Sequence, residues 1–265
     1  MFQHQPHNGA KPKPGVIMSS TKIFIAVAAL MFSWPNAAVH ADTLSAAQKT
    51  EVQQVVREYL LKNPEVIVEA INELKRRNEV AGAEHQRAAM AAMATELTSN
   101  PSDPVMGNAQ GDVTMVEFFD YRCGFCKKVF DDVQTLIKED GHIRVVLKEF
   151  PILGEDSVNA SRAAMAVWLH QPDKYKAFHA AMMRNKGALG MDKVLELAKA
   201  SGVDVAALSG QMDDPEIGKT FAATHNQAQT LDVTGTPAFI VGETIVPGAI
   251  GLDVMKQLVA AARKK

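Results

Sequence analysis

The chain has 265 residues, enough for one well-buried core with an appendage. At 47% apolar, 22% charged and a net charge of −2, its composition is that of an ordinary globular protein. It carries no basic stripe with interleaved aromatics, so nucleic acid is not an expected partner. Two cysteines, Cys123 and Cys126, exclude a disulfide-rich scaffold and are too few for an iron–sulfur cluster, which needs about four thiolates.

Residues 1–17 are polar and contain Pro and Gly, unlike a basic leader; Met18 is the better start. Lys22 then precedes an apolar run from Ile23 to Trp34, broken by Pro35 and followed by the small-residue site Val39-His40-Ala41. This is a secretory signal pattern with cleavage after about Ala41. The run is short for a bilayer span, which makes a retained anchor the weaker alternative. Export implies the periplasm, where disulfides persist. After Ala41 the chain has 25 Lys/Arg against 30 Asp/Glu, so the mature protein is acidic.

From Leu44 to Asn63 the apolar residues Val52, Val55, Val56, Tyr59 and Leu60 follow helical spacing, and Ser45 with Gln48 fits a capping box. Asn63-Pro64-Glu65 reads as the cap and first turn of a second helix, with Val66, Ile67, Ala70, Ile71 and Leu74 on one face. Helical composition continues to Leu97, with Gly82 a weak point, and Asn100-Pro101-Ser102-Asp103-Pro104 reads as a linker. The division expected is therefore 1–41 leader, 42–104 helical appendage with linker, and 105–265 main domain. Two amphipathic helices cannot bury their own stripes. Self-association through 42–99 is expected, with folding back on the main domain as the alternative.

Val113 to Phe119 is apolar and β-branched or aromatic, the pattern of a buried strand. From Lys127 to Lys138 the residues Val129, Phe130, Val133, Leu136 and Ile137 share a helix face. Cys123-Gly124-Phe125-Cys126 thus lies where a strand turns into a helix. A disulfide between cysteines three apart closes almost no loop and has little value as a staple. A zinc site needs four ligands, and no second Cys or His pair is spaced to complete one. A redox pair is the preferred reading, with two merely buried thiols as the alternative. At a helix N-terminus, free N–H groups and the dipole favour thiolate at Cys123, the reactive sulfur; Cys126, one turn inside, is the resolving one.

A second strand spans His142 to Phe150 and ends at Pro151. From about 155 to 230 the chain has Ala-, Met- and Leu-rich helical spacing, punctuated by Pro172-Asp173, Lys186-Gly187 and Asp213-Asp214-Pro215. Strand character returns at Pro237 to Val241, Gly242-Glu243 reads as a hairpin turn into Thr244 to Val246, and Leu252 to Ala262 reads as a closing helix.

This order, with Glu117-Phe118-Phe119-Asp120-Tyr121-Arg122-Cys123-Gly124-Phe125-Cys126, Thr234-Gly235-Thr236-Pro237 and Lys148-Glu149-Phe150-Pro151, resembles the DsbA-like family of exported thiol–disulfide oxidoreductases over about 105–265. The resemblance implies an α/β thioredoxin fold with an inserted helical domain, preceded by the helical appendage. It implies Cys123 and Cys126 as a redox-active disulfide and Glu117 as a buried acid beneath it. It also implies a cis peptide bond at Pro237, with Gly124, Phe125, Thr236 and Pro237 meeting substrate; an ordinary turn is the alternative for the Pro237 loop, and edge exposure for Glu117. No cofactor or metal is implied. Partners would be thiol- or disulfide-containing client proteins and a membrane redox partner that resets the pair. The family's strongest oxidants have a His between the cysteines where this chain has Gly124-Phe125, so its thiolate lacks that support.

The long N-terminal region is similar to that of trimeric, copper-stress ScsC-type relatives, which implies disulfide isomerase capacity. A thiol peroxidase and a non-catalytic chaperone or metal-binding adaptor are the rival readings. Lys148 and Glu149 read as a neighbouring charged pair or as exposed. Phe125, Phe239 and Ile240 are candidates for an apolar client patch, the latter two equally for core. Met90 with Met93 and Met182 with Met183 suggest copper less than packing, and His179 and His225 have no partner at ligand spacing.

Overall fold

A computed structural model describes residues 44–264. The leader, its cleavage point and the start at Met18 lie outside the described residues. The chain divides into two compact units at Asn63/Pro64. The first holds α1, Ala46–Lys62, opened by the expected capping box: the Gln48 N–H donates to Ser45 Oγ and the Ser45 N–H to Gln48 Oε1. Val52, Val55, Val56 and Tyr59 on α1 are exposed.

The second unit opens with α2, Glu65–Ala92, which runs unbroken through Gly82. Asn63 does not cap it. The Asn63 amide donates back to Tyr59 O and serves the end of α1 instead. Carbonyls at a helix C-terminus lack intrahelical partners and compete for the same side chain. Ile67, Ile71 and Leu74 are exposed, whereas Met90 near the end of α2 and Leu97 on α3, Ala94–Ser99, are buried. Within the segment read as a linker, Ser102, Asp103 and Pro104 are packed rather than free.

The sheet has the order β1-β3-β2-β4-β5, with β1 Val105–Gly107, β2 Val113–Phe119, β3 Ile143–Glu149, β4 Ala238–Val241 and β5 Thr244–Pro247. β2 and β3 are parallel; the other pairs are antiparallel. The edge strand β1 escaped the sequence reading because three residues are too few to show an alternation. Between β2 and β3 runs α4, Gly124–Asp140, closed by Gly141 at φ 70°, a left-handed position that suits glycine. Between β3 and β4 stand α5 (Glu155–His170), α6 (Pro172–Arg184), α7 (Met191–Ala200), α8 (Val205–Gln211) and α9 (Pro215–Thr230), the expected helical insert. The chain closes with α10, Leu252–Arg263. This is a thioredoxin fold carrying an inserted helical domain.

Strand alternation sorts the side chains into two layers. Met115, Phe119, Val145, Leu147 and Phe239 join one core with α4, α10 and the insert. Val116, Phe118, Val146 and Ile240 join another with Met90, Leu97 and Leu231. Lys148 and Glu149 therefore point to opposite faces and do not pair with each other. Both are buried. Lys148 meets Asp103 in a buried ion pair and also donates to Glu96 O at 3.0 Å. Glu149 accepts from Ser161 Oγ at 2.7 Å. Phe239 and Ile240 are core, so they form no client patch; alternation sends them to opposite faces of the sheet, each covered by its own packed layer. Met90, Met182 and Met183 are likewise buried packing residues.

Candidate active site

The redox turn follows from its neighbours. β2 ends at Phe119, and Asp120 then closes a turn in which the Cys123 N–H donates to Asp120 O at 3.0 Å. The Asp120 carboxylate is buried and fully used. Oδ1 accepts from the Arg122 N–H at 2.7 Å and Ser157 Oγ at 2.8 Å, and Oδ2 accepts from the N–H groups of Ile152 and Leu153 at 2.9 and 3.1 Å. One side chain thus ties the turn before the cysteines to the loop after β3 and the start of α5. Buried carboxylates need such partners. Cys123 occupies the N-cap of α4 and Cys126 its first turn.

Both cysteines are free thiols. In its thiol form Cys123 Sγ donates to Thr236 O at 3.1 Å, a contact between residues 113 apart in sequence. The Thr236–Pro237 peptide bond is cis. The Cys123 thiol is held down at about 5, first by the hydrogen bond from Cys126, with further help from the Thr236 side chain and the N–H groups of Cys126 and Phe125, while burial opposes. The helix N-terminus alone was expected to do this; the thiol–thiol bond is the larger cause. Cys126 is pushed strongly up by that same bond and by burial. The pair is therefore asymmetric: Cys123 is thiolate at neutral pH and Cys126 is thiol. A low-pKa thiolate attacks and leaves readily in disulfide exchange.

Glu117 lies on the central strand, paired with Leu147 on one side and Phe239 on the other, so it is not edge-exposed. Alternation places it on the α4 face. Burial first, and then the nearby Cys123 charge, raise its carboxyl to about 8. An acid whose folded pKa exceeds its ordinary value of about 4.5 is neutral in the fold and ionised in the unfolded chain between those pH values. Glu117 by itself should thus withdraw stability from the reduced protein between pH 4.5 and pH 8, against the stability that the lowered Cys123 thiol adds above about pH 5. Glu117→Gln should remove that loss, the gap over wild type widening by a few kcal/mol across the window, since each pKa unit is worth about 1.4 kcal/mol. Urea unfolding at pH 4 and pH 8 measures it, and a gap that does not change with pH refutes the buried neutral acid.

Of the other expected residues, Phe125 is 62% exposed between the cysteines, Gly124 is exposed, Thr236 is half-buried and Pro237 is buried. A groove of about 330 Å³ follows Thr234 to Ala238 and is closed by Ile245 and Pro247. Four residues near the site were missed. Asp120 was read only as a strand breaker. Tyr121 OH and His179 Nδ1 are hydrogen-bonded at 2.8 Å, and burial lowers His179 to about 3, so the ring is neutral. Glu149, raised by burial, completes a buried polar layer beside them. No spacing rule links these positions, because the insert carries His179 far from the turn in sequence.

The comparisons agree with this geometry. A DSBA-like thioredoxin domain matches residues 114–260, and a copper resistance protein ScsC N-terminal domain matches residues 48–81. A thioredoxin-like oxidoreductase from Silicibacter pomeroyi DSS-3 is 41% identical, covering 64% of this chain and 98% of its own, with a TM-score of 0.63. Salmonella enterica Typhimurium BcfH is 29% identical over 82% of this chain and 96% of its own, with a TM-score of 0.68. Among curated proteins, thiol:disulfide interchange protein DsbA of Bordetella parapertussis is 26% identical over 62% of this chain and 84% of its own. The domain match takes in most of the sheet, the redox turn, the helical insert and the cis-Pro loop, and on that extent the chain belongs to the family of DSBA-like thioredoxin domains.

Proposed function

We propose that the protein is an exported thiol–disulfide oxidoreductase that forms or isomerises disulfides in client proteins. The observation that carries this is the asymmetric pair: a thiolate at Cys123 against a buried thiol at Cys126, facing the Thr236 backbone. In the oxidised form a client thiolate attacks Cys123 Sγ. The Cys123–Cys126 bond breaks, and Cys126 leaves and takes up a proton, for which Glu117 is the nearby buried acid. The client's second thiolate then attacks the client sulfur of the mixed disulfide and expels Cys123 as thiolate. The client is oxidised by two electrons and the enzyme reduced by two. A disulfide-bearing membrane partner resets the pair. From the reduced form, Cys123 attacks a client disulfide and the same steps isomerise it. Gly124, Phe125, Thr236 and Pro237 form the client contact, with the exposed Phe125 ring as its apolar element.

Self-association through the N-terminal helices is part of the reading. It is supported by the ScsC N-terminal match over residues 48–81 and by the exposed apolar residues of α1 and the first half of α2. Among the described residues no helix is long and apolar enough to cross a membrane, and export rests on the leader pattern of residues 22–41.

Refolding of reduced and of scrambled ribonuclease tests the activity. Recovery from both indicates oxidase and isomerase function, and recovery from neither refutes the proposal. Light scattering tests the assembly. Removal of residues 42–81, which spares Met90 and Leu97, should leave a monomer that still oxidises a dithiol but isomerises poorly.

A further inference from the structure

A second cleft, of about 640 Å³, adjoins the redox turn and shares no residue with the groove along Thr236. It runs from Arg122 and Gly124 along the first turns of α4 to the segment after α6. Its walls hold Arg122, Lys127, Lys128, Arg184 and Lys186 against one acid, Asp131. Arg184 spends its charge on Asp131 at 2.7 Å. Arg122 reaches Asp156 only at 3.9 Å, with both side chains in solvent. Lys127, Lys128 and Lys186 have no carboxylate within ion-pair distance among the described residues. Lys127 is the most committed: half-buried, it donates to Met182 O at 3.1 Å and Asn185 O at 2.6 Å, which fixes its ammonium in the cleft wall. This concentration of positive charge stands in a chain whose mature part is acidic overall.

We propose that this cleft docks acidic segments of partner proteins, holding carboxylates that flank the client cysteine reacting at Cys123. The inference rests on the reading of Cys123 as the exchange centre. The cations are spread over the turn, α4 and the end of α6, which suits several carboxylates along a chain better than one compact anion. Most are solvent-exposed, and charges at an interface rim act chiefly on association rate and its salt dependence. The groove at Thr236 takes the client backbone, and the separate basic cleft beside the turn selects by charge.

The test uses the oxidised full-length protein and short single-cysteine peptides whose cysteine is flanked by Glu, Gln or Lys. Mixed-disulfide formation is followed at low salt and at about 0.5 M salt, where the screening length falls to roughly a few ångströms. Each rate is normalised to that peptide's reaction with a small neutral disulfide, which removes the effect of flanking charge on its own thiol. The Glu peptide should react at least about tenfold faster than the Lys peptide at low salt, the lower end of electrostatic steering, and the gap should close at high salt. Lys128→Glu with Lys186→Glu, both exposed positions, should invert the order, and the paired Gln substitutions should fall between. Equal rates for all three peptides in wild type, or a preference untouched by charge reversal, overturn the cleft assignment while leaving Cys123 as the exchange centre. A reaction with reduced glutathione that responds to salt and charge reversal, with no such response for any peptide, overturns the assignment to protein segments. Persistence of exchange in Cys123→Ser overturns the underlying reading instead.

Discussion

Cys123→Ser is expected to reduce thiol–disulfide exchange to the uncatalysed background, because the only other thiol in the 265 residues is Cys126 and that one is buried and protonated. Cys126→Ser should behave differently. It keeps the attacking sulfur but has nothing to resolve the mixed disulfide, so client adducts should accumulate on non-reducing gels. The two substitutions at position 126 also separate the causes of the Cys123 acidity. Its main support is the hydrogen bond from the Cys126 thiol. A Ser hydroxyl replaces that donor; Ala does not. Thiolate absorbance against pH should therefore place Cys123 nearest to about 5 in wild type, higher in Cys126→Ser, and closest to the free-cysteine value of about 8.5 in Cys126→Ala. Alkylation at neutral pH should slow in the same order. An Ala variant with unchanged acidity would show that the helix N-terminus, not the second sulfur, sets the thiolate.

Lys148→Met is expected to cost about 3–5 kcal/mol of stability, the usual cost of removing one partner from a buried ion pair. Lys148 and Asp103 are each 1% exposed, and their contact joins β3 to the segment after α3. Burial pushes Asp103 up and Lys148 down, and their mutual attraction works against both shifts. Without the ammonium, burial still pushes Asp103 up with only the Arg144 charge opposing it, which favours the neutral acid in the fold. The deficit should then shrink as pH falls toward 4, because the unfolded chain also takes up the proton. Asp103→Asn combined with Lys148→Met should cost less than the sum of the single changes, since neither leaves an uncompensated charge behind. Urea unfolding of the four proteins decides it; a loss below about 1 kcal/mol in Lys148→Met would mean that water reaches the pair.

The strands β2 to β5, the redox helix, the closing helix and the helical character of the insert were legible in the sequence, because periodicity and turn residues are properties of near neighbours. So was the placement of the cysteine pair, three apart at a strand-to-helix turn. Residues whose roles depend on distant partners were not legible. Lys148 and Glu149 are adjacent, yet alternation sends one to Asp103 and the other to Ser161. Phe239 and Ile240 look equally able to face a client or the core until packed layers cover both faces of the sheet. Asn63 has the chemistry to cap the helix after it and turns to the helix before it. The position of the cysteine pair is a local fact, written in spacing. Its acidity, its facing strand at Thr236, the neutral acid beneath it and the basic cleft beside it are set by chain segments that only folding brings together, since burial and charge act through space rather than along the chain.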